Sequence, residues 1–283
     1  MTAPDFTSEM EIKMVRDITL GQYYHSDSVI HKLDPRTKVV GTFVYIIALF
    51  CVSSVWGYLL AAVFLACVIK LSKIPFRYMI KGMKPILVLM MITVLFNMFL
   101  TPGEVLWSWW KLSITREGLI VAAKMAVRLS FLIMGSNIMT LTTTPNSLTD
   151  GLERLLKPLK KVKVPVHEIS MMMSIALRFI PILIEETDKI MKAQMARCAD
   201  FESGNIIKRA KALIPLLVPL FISAFRRAND LAMAMEARCY HGDEGRTKMK
   251  PLNYQRRDYV AYGFIWLMLV VCIVFGRNMW WLS

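Results

Sequence analysis

Residues 39–69, VVGTFVYIIALFCVSSVWGYLLAAVFLACVI, run for 31 positions without a charged side chain. As one straight helix they would extend about 46 Å, against a hydrocarbon core of about 30 Å. A single span does not fit. Arg36 and Lys38 precede the run, and Lys70, Lys73 and Arg77 follow it. Positive charge collects on the cytoplasmic side of membranes, so both ends are expected inside the cell. The run therefore reads as a hairpin of two shortish helices that turns near Ser53, Ser54 and Gly57.

Composition agrees with a membrane location. Of 283 residues 55% are hydrophobic and the mean hydropathy is +0.46, above the roughly 45–50% apolar content of soluble domains. Yet 20% of the side chains are charged and the net charge is +14, so the charge must gather outside the lipid. Residues 85–103 form a third uncharged run, of 19 residues, ending at Thr101-Pro102-Gly103-Glu104. Trp107, Trp109 and Trp110 then read as an interfacial aromatic belt. A fourth span, 118–141, carries Lys124 and Arg128 one helical turn apart. Such charges are functional by default, or else they snorkel to headgroups or pair with a carboxylate on a neighbouring helix. The last span, 259–276, lies between Arg256, Arg257 and Asp258 on one side and Arg277, Trp280 and Trp281 on the other. The expected fold is all-α: a polytopic membrane protein with about five transmembrane helices, the N-terminus cytoplasmic and the C-terminus outside. Five cysteines, widely spaced, make no disulfide framework, and the charged first 38 residues argue against a cleaved signal peptide.

The segment 145–257 holds 20 Lys+Arg and 12 Asp+Glu, which is +8 of the total charge, and belongs in the cytoplasm by the same rule. Its apolar stretches, 169–177 and 212–225, are short for spans. From Pro165 the positions Met172, Ala176, Phe179, Leu183, Ile190, Gln194 and Arg197 trace one face of a helix of about 35 residues. A second helical pattern covers 206–240, where Pro215 and Pro219 are expected to kink or break it, and shorter helical material covers 146–159. The two long helices end alike. Ala193, Ala196, Arg197, Cys198 and Gly204 reappear 41 positions later as Ala234, Ala237, Arg238, Cys239 and Gly245. The pattern is either coincidence or an old duplication with no present role, or it marks two helix ends that dock on two similar surfaces. Arginine suits the second reading, since a planar guanidinium grips a carboxylate with two parallel hydrogen bonds and keeps its charge when partly desolvated. Cations also cap helix C-termini by about 0.3–1 kcal/mol, which explains each arginine but not the pairing.

These motifs, with Leu33-Asp34-Pro35-Arg36-Thr37-Lys38, Thr149-Asp150-Gly151-Leu152-Glu153 and Ala176-Leu177-Arg178-Phe179-Ile180-Pro181, resemble the transmembrane T component of energy-coupling factor (ECF) transporters over nearly the whole chain. That family carries two Ala-Arg-Gly motifs at the ends of cytoplasmic coupling helices. Here cysteine stands in both glycine positions. The resemblance implies a bacterial cell-membrane scaffold of vitamin or micronutrient uptake that binds neither nucleotide nor substrate. It implies as partners two ABC-type ATPase subunits and a membrane-embedded substrate-binding S component. Ala196, Arg197 and Cys198 would meet one ATPase and Ala237, Arg238 and Cys239 the other, and ATP-driven closure would reorient the S component. The layout is then a cytoplasmic N-terminal segment (1–38), transmembrane helices 1 to 4 (39–144), a coupling-helix region (145–257) and a final transmembrane helix (258–283).

The residues exclude several other classes. No Gly-x4-Gly-Lys-Ser/Thr loop is present to cradle phosphates. His25, His31, His167 and His241 are scattered singly and offer no zinc-ligand spacing. Cys198 and Cys239 lack a candidate base, so no catalytic residue, cofactor or metal is expected. The 12 acidic residues interrupting the basic segment, without stacking aromatics, argue against nucleic acid. Methionine, 21 in all, suits either a repacking interface or ordinary core filling. One rival remains, a self-sufficient secondary transporter using Lys124 and Arg128.

Overall fold

The computed structural model describes residues 23–52, 54–102, 104–109, 112–199, 201, 207, 211–242, 249 and 251–278. Among the described residues the chain forms two compact units, residues 23–154 with 252–278, and residues 155–251.

In the first unit α1 covers Pro35–Cys51 and α2 covers Val55–Ser72. Asp34 starts α1 by accepting the Arg36 N–H at 2.9 Å, with Pro35 in the first turn where a missing N–H costs nothing. Ser54 starts α2 by accepting the Gly57 N–H at 3.2 Å. The uncharged run thus folds as two helices broken at 52–54; Ser53 lies outside the described residues. α3, Phe76–Leu100, is bent by 64° between Phe76–Lys84 and Ile86–Leu100, and Pro85, which supplies no N–H to the ladder, sits at the break. A hairpin follows, β1 (Val105–Trp109) antiparallel to β2 (Leu112–Thr115) with an irregularity between Val105 and Trp107. It is the one departure from helix among the described elements. Trp107 and Trp109 lie on β1, and Trp110, like Trp280 and Trp281, lies outside the described residues. Thr115 caps α4 (Arg116–Thr142) through the Gly118 N–H at 3.1 Å. α5 covers Pro145–Leu156, and α8 covers Arg256–Asn278.

α4 packs on α1, α2 and α3, and α8 packs on α1 and α2. Their shared core holds Tyr45, Leu49, Leu65, Met79, Ile138 and Cys272. Hydrophobic burial supplies little drive between helices in lipid, so close approach matters. Gly135 provides it: a Cβ there would collide with the Tyr45 ring.

In the second unit a 3₁₀ turn, Lys157–Val162, leads into α6 (Val166–Met195), followed by α7 (Ile214–Ala237). α6 starts at Pro165 as the sequence suggests, but runs 30 residues rather than 35. α6 packs on α7. Pro215 stands at the start of α7, where it is tolerated, and the helix continues through Pro219.

By length and composition α2, α4, α6 and α8 are each able to cross a membrane, and α3 is a fifth if its halves form one broken span. The sequence reading has five spans as well, counting α1 in place of α6. At 17 residues α1 is only about 26 Å long. α6 qualifies because Arg178, which ends the apolar run 169–177 on paper, is a single charge in a longer apolar stretch.

Candidate coupling site at two helix ends

The two Ala-Arg-Cys triplets terminate α6 and α7 with one and the same backbone device. At α6 the Ala199 N–H donates to the Gln194 carbonyl at 3.0 Å, and the Cys198 N–H to Met195 at 3.0 Å. At α7 the Tyr240 N–H donates to Met235 at 3.0 Å, and the Cys239 N–H to Glu236 at 2.8 Å. Each end is a Schellman motif, which satisfies the last carbonyls by turning one residue into the left-handed region. That residue is the cysteine in both, with φ of 65° at Cys198 and 56° at Cys239. A side chain there meets steric strain that glycine escapes. The motif therefore uses the conformation glycine favours, and cysteine adopts it.

The same turn carries Arg197 and Arg238 to the surface. Ala196, Arg197, Cys198, Ala237, Arg238 and Cys239 are all exposed. Neither guanidinium group has a hydrogen bond or ion pair among the described residues, so both face solvent with their donors unspent. Gly204 and Gly245, the last members of the 41-residue repeat, lie outside the described residues. His241 is exposed, its Nδ1 2.7 Å from the Cys239 carbonyl.

Upstream of these ends α6 and α7 are tied by Arg227, whose Nη2 donates to Glu186 Oε2 at 2.9 Å while its buried Nε has no partner. Beside it lies an apolar cleft of about 270 Å3 lined by Ile175, Phe179, Leu183, Ala228 and Leu231. The packing face is thus 175/179/183. Of the positions read as one face, Phe179 and Leu183 belong to it, while Met172 and Ala176 are exposed.

The span charges sit elsewhere. Arg128 donates from Nε to the Tyr58 hydroxyl at 3.1 Å and from Nη2 to the Val52 carbonyl at 2.9 Å, with the rings of Phe50 and Tyr58 within 6 Å. It serves the α1–α2 turn, where a carboxylate partner is one sequence expectation. Lys124 is half-buried and has no partner among the described residues.

Leu33 to Lys38 tie the first unit together. Arg36 grips Asp34 with two bonds, 3.0 and 2.7 Å, reaches the Leu252 carbonyl at 3.1 Å and stacks on Tyr254 at 3.9 Å. Burial alone would raise the Asp34 carboxyl, but the hydrogen bonds and charge of Arg36 hold it below the usual carboxylate value. The Asp34 N–H is taken by buried Asp258, a residue whose role sequence reasoning did not find. Gly151 lets α5 reach Pro35, since a Cβ there would come within 2.9 Å of the Pro35 ring.

Several long apolar helices, an arginine spent on helix packing and a helix pair ending in two matching arginine tips define a multi-pass α-helical membrane protein. The family model described as cobalt transport protein, CbiQ, matches residues 26–249. The energy-coupling factor transporter transmembrane protein EcfT of Clostridium kluyveri is 56% identical over 270 residues, 95% of this chain and 99% of its own length. The proteins of the same name from Bacillus subtilis, at 46% over 87% of this chain and 93% of their own, and from Lactococcus lactis subsp. cremoris, at 43% over 93% and 99%, are similar too. The chain belongs to this family, the transmembrane components of energy-coupling factor transporters.

Proposed function

We propose that the chain is the coupling scaffold of an ATP-driven ECF-type importer of a vitamin or other micronutrient. Arg197 docks on one ABC-type ATPase subunit and Arg238 on a second. Closure of the ATPases on ATP draws the tips of α6 and α7 together, and the motion is passed to a membrane-embedded substrate-binding S component. Hydrolysis belongs to the ATPases and no catalytic step to this chain. In this reading the protein lies in a bacterial cell membrane with its N-terminus and the region 145–257 in the cytoplasm, and 39–144 and 258–283 in the bilayer.

The observation that carries the reading is the duplicated helix end. Two Schellman turns present two exposed, unpaired arginines, and a charge-assisted bond to a carboxylate contributes about 1.5–3 kcal/mol. The bonds of Arg128 to Tyr58 and Val52 favour this reading over a self-sufficient transporter. The test is the Arg197→Glu and Arg238→Glu double variant, expected to insert normally and to lose ATP-driven uptake. Full uptake by that variant would overturn the assignment.

A further inference from the structure

A cavity of about 540 Å3 opens on the side of the first unit, within the range of about 300–1,000 Å3 typical of ligand sites. Its walls come from α1, α2, α4 and α8 and are apolar, with Tyr45, Phe64, Val68, Ile138 and Phe264 among them. Its lip is open: Leu71, Val260 and Phe264 are all more than half exposed.

One end differs. α1 and α8 begin side by side, and their first turns contribute Thr37, Lys38 and Arg257, while the deeper lining, from Gly41 to Tyr45 and from Val260 to Ile265, is nearly all apolar. Thr37 is 1% exposed and its hydroxyl has no partner. Lys38 Nζ donates to the carbonyls of Thr142 at 2.7 Å and His31 at 3.2 Å, which leaves one of its three donors unspent and its charge without an ion pair among the described residues. Arg257 is exposed and bonds a neutral amide, Gln255. The carboxylates of this end are otherwise engaged, Asp34 by Arg36 and Asp258 by the N–H groups of Asp34 and Gln255.

Two cations and an orphan hydroxyl closing one end of an apolar slot match an amphiphile with an anionic head and a long hydrocarbon tail. We propose that this cavity binds one anionic phospholipid, its phosphate against Lys38, Arg257 and Thr37 and an acyl chain along the walls of α1 and α8. Basic groups flanking such pockets recognise lipid phosphates by charge, and the walls hold the chain by burial. The site is independent of the arginine tips, and its test needs neither ATPases nor transport.

The full chain, purified in detergent with equal phosphatidylglycerol and phosphatidylcholine, is examined by native mass spectrometry. One phosphatidylglycerol per chain is expected to remain in preference to phosphatidylcholine. Arg257→Gln is expected to weaken retention about tenfold, and Ala261→Trp, which fills the slot, to abolish it, with circular dichroism reporting the fold. Should the tryptophan variant not fold, Arg257→Gln decides alone. Glycerophosphoglycerol, the head without chains, should not displace the lipid. Equal retention of both lipids, unaltered by Arg257→Gln, would mean ordinary surrounding lipid and overturn the proposal, as would displacement by the free headgroup.

Discussion

Asp258, in the first turn of α8, accepts the backbone N–H of Asp34, just before α1, at 2.8 Å across 224 positions of sequence. The same carboxylate takes the Gln255 N–H at 2.7 Å through its other oxygen. One buried side chain thus fixes the start of the last helix to the start of the first. Asp34 in turn holds Arg36, which reaches Leu252 and Tyr254 on the approach to α8.

Removing that carboxylate leaves two N–H groups without an acceptor, each costing about 1–3 kcal/mol where it is buried. Asp258→Ala is expected to lower the thermal midpoint of the detergent-purified chain sharply. Asp258→Asn, which keeps one acceptor oxygen, should fall between. An alanine variant as stable as the parent would show that the contact does not hold α8 in place.

Acid should loosen this end in two stages. His31 is pushed below its ordinary value, first by burial and also by Lys38 and His25, against the hydrogen bond to the Tyr24 carbonyl. Its folded form binds a proton less readily than the unfolded chain. Its contribution is full above about pH 6.5 and is lost as pH falls through the lowered folded value. Asp34, also depressed, acts in the same direction below about pH 4. Melting temperatures measured from pH 8 to pH 2 should fall, and His31→Gln should flatten the profile around pH 6. An unchanged slope in that variant would remove His31 from the account.

Cysteine at a left-handed helix end costs about 1–2 kcal/mol relative to glycine. Cys198→Gly and Cys239→Gly are expected to slow amide exchange at 198–199 and 239–240 and to leave ATP-driven uptake intact. Cys198→Val and Cys239→Val, β-branched at the same φ, should do the reverse. Faster exchange in the glycine variants would contradict the strain argument.

Arg128 bonds the Val52 carbonyl in the α1–α2 turn and the Tyr58 hydroxyl on α2, so Arg128→Gln should destabilise the chain by about 1–3 kcal/mol. Uptake by the assembled transporter should then decline only as far as folded protein declines. The chain alone in liposomes should transport nothing, with or without the substitution. Uptake by the chain alone, abolished by Arg128→Gln, would restore the reading of this arginine as a transport residue.

The helix pair in 39–69 was legible because a 31-residue uncharged run bounded by cations has few physical solutions. The two tips were legible because a repeat at constant offset needs no contact to be seen. The hairpin Val105–Trp109 and Leu112–Thr115 was overlooked, although alternation of large apolar residues at Val105, Trp107 and Trp109 was its signal. The capacity of α6 to cross a membrane is missed when a single Arg178 is taken to end the apolar run 169–177.

Charge and hydropathy along the chain, which act locally, determined that this is a membrane protein of several helices with two matching arginine-tipped ends. The tertiary structure alone decided the rest. The left-handed turn at Cys198 and Cys239, the junction of Asp34 with Asp258 and the cation-ended slot between α1 and α8 depend on torsion angles or on partners far apart in sequence. Nothing in a neighbouring residue's chemistry announces them, because their energy arises only when the helices meet.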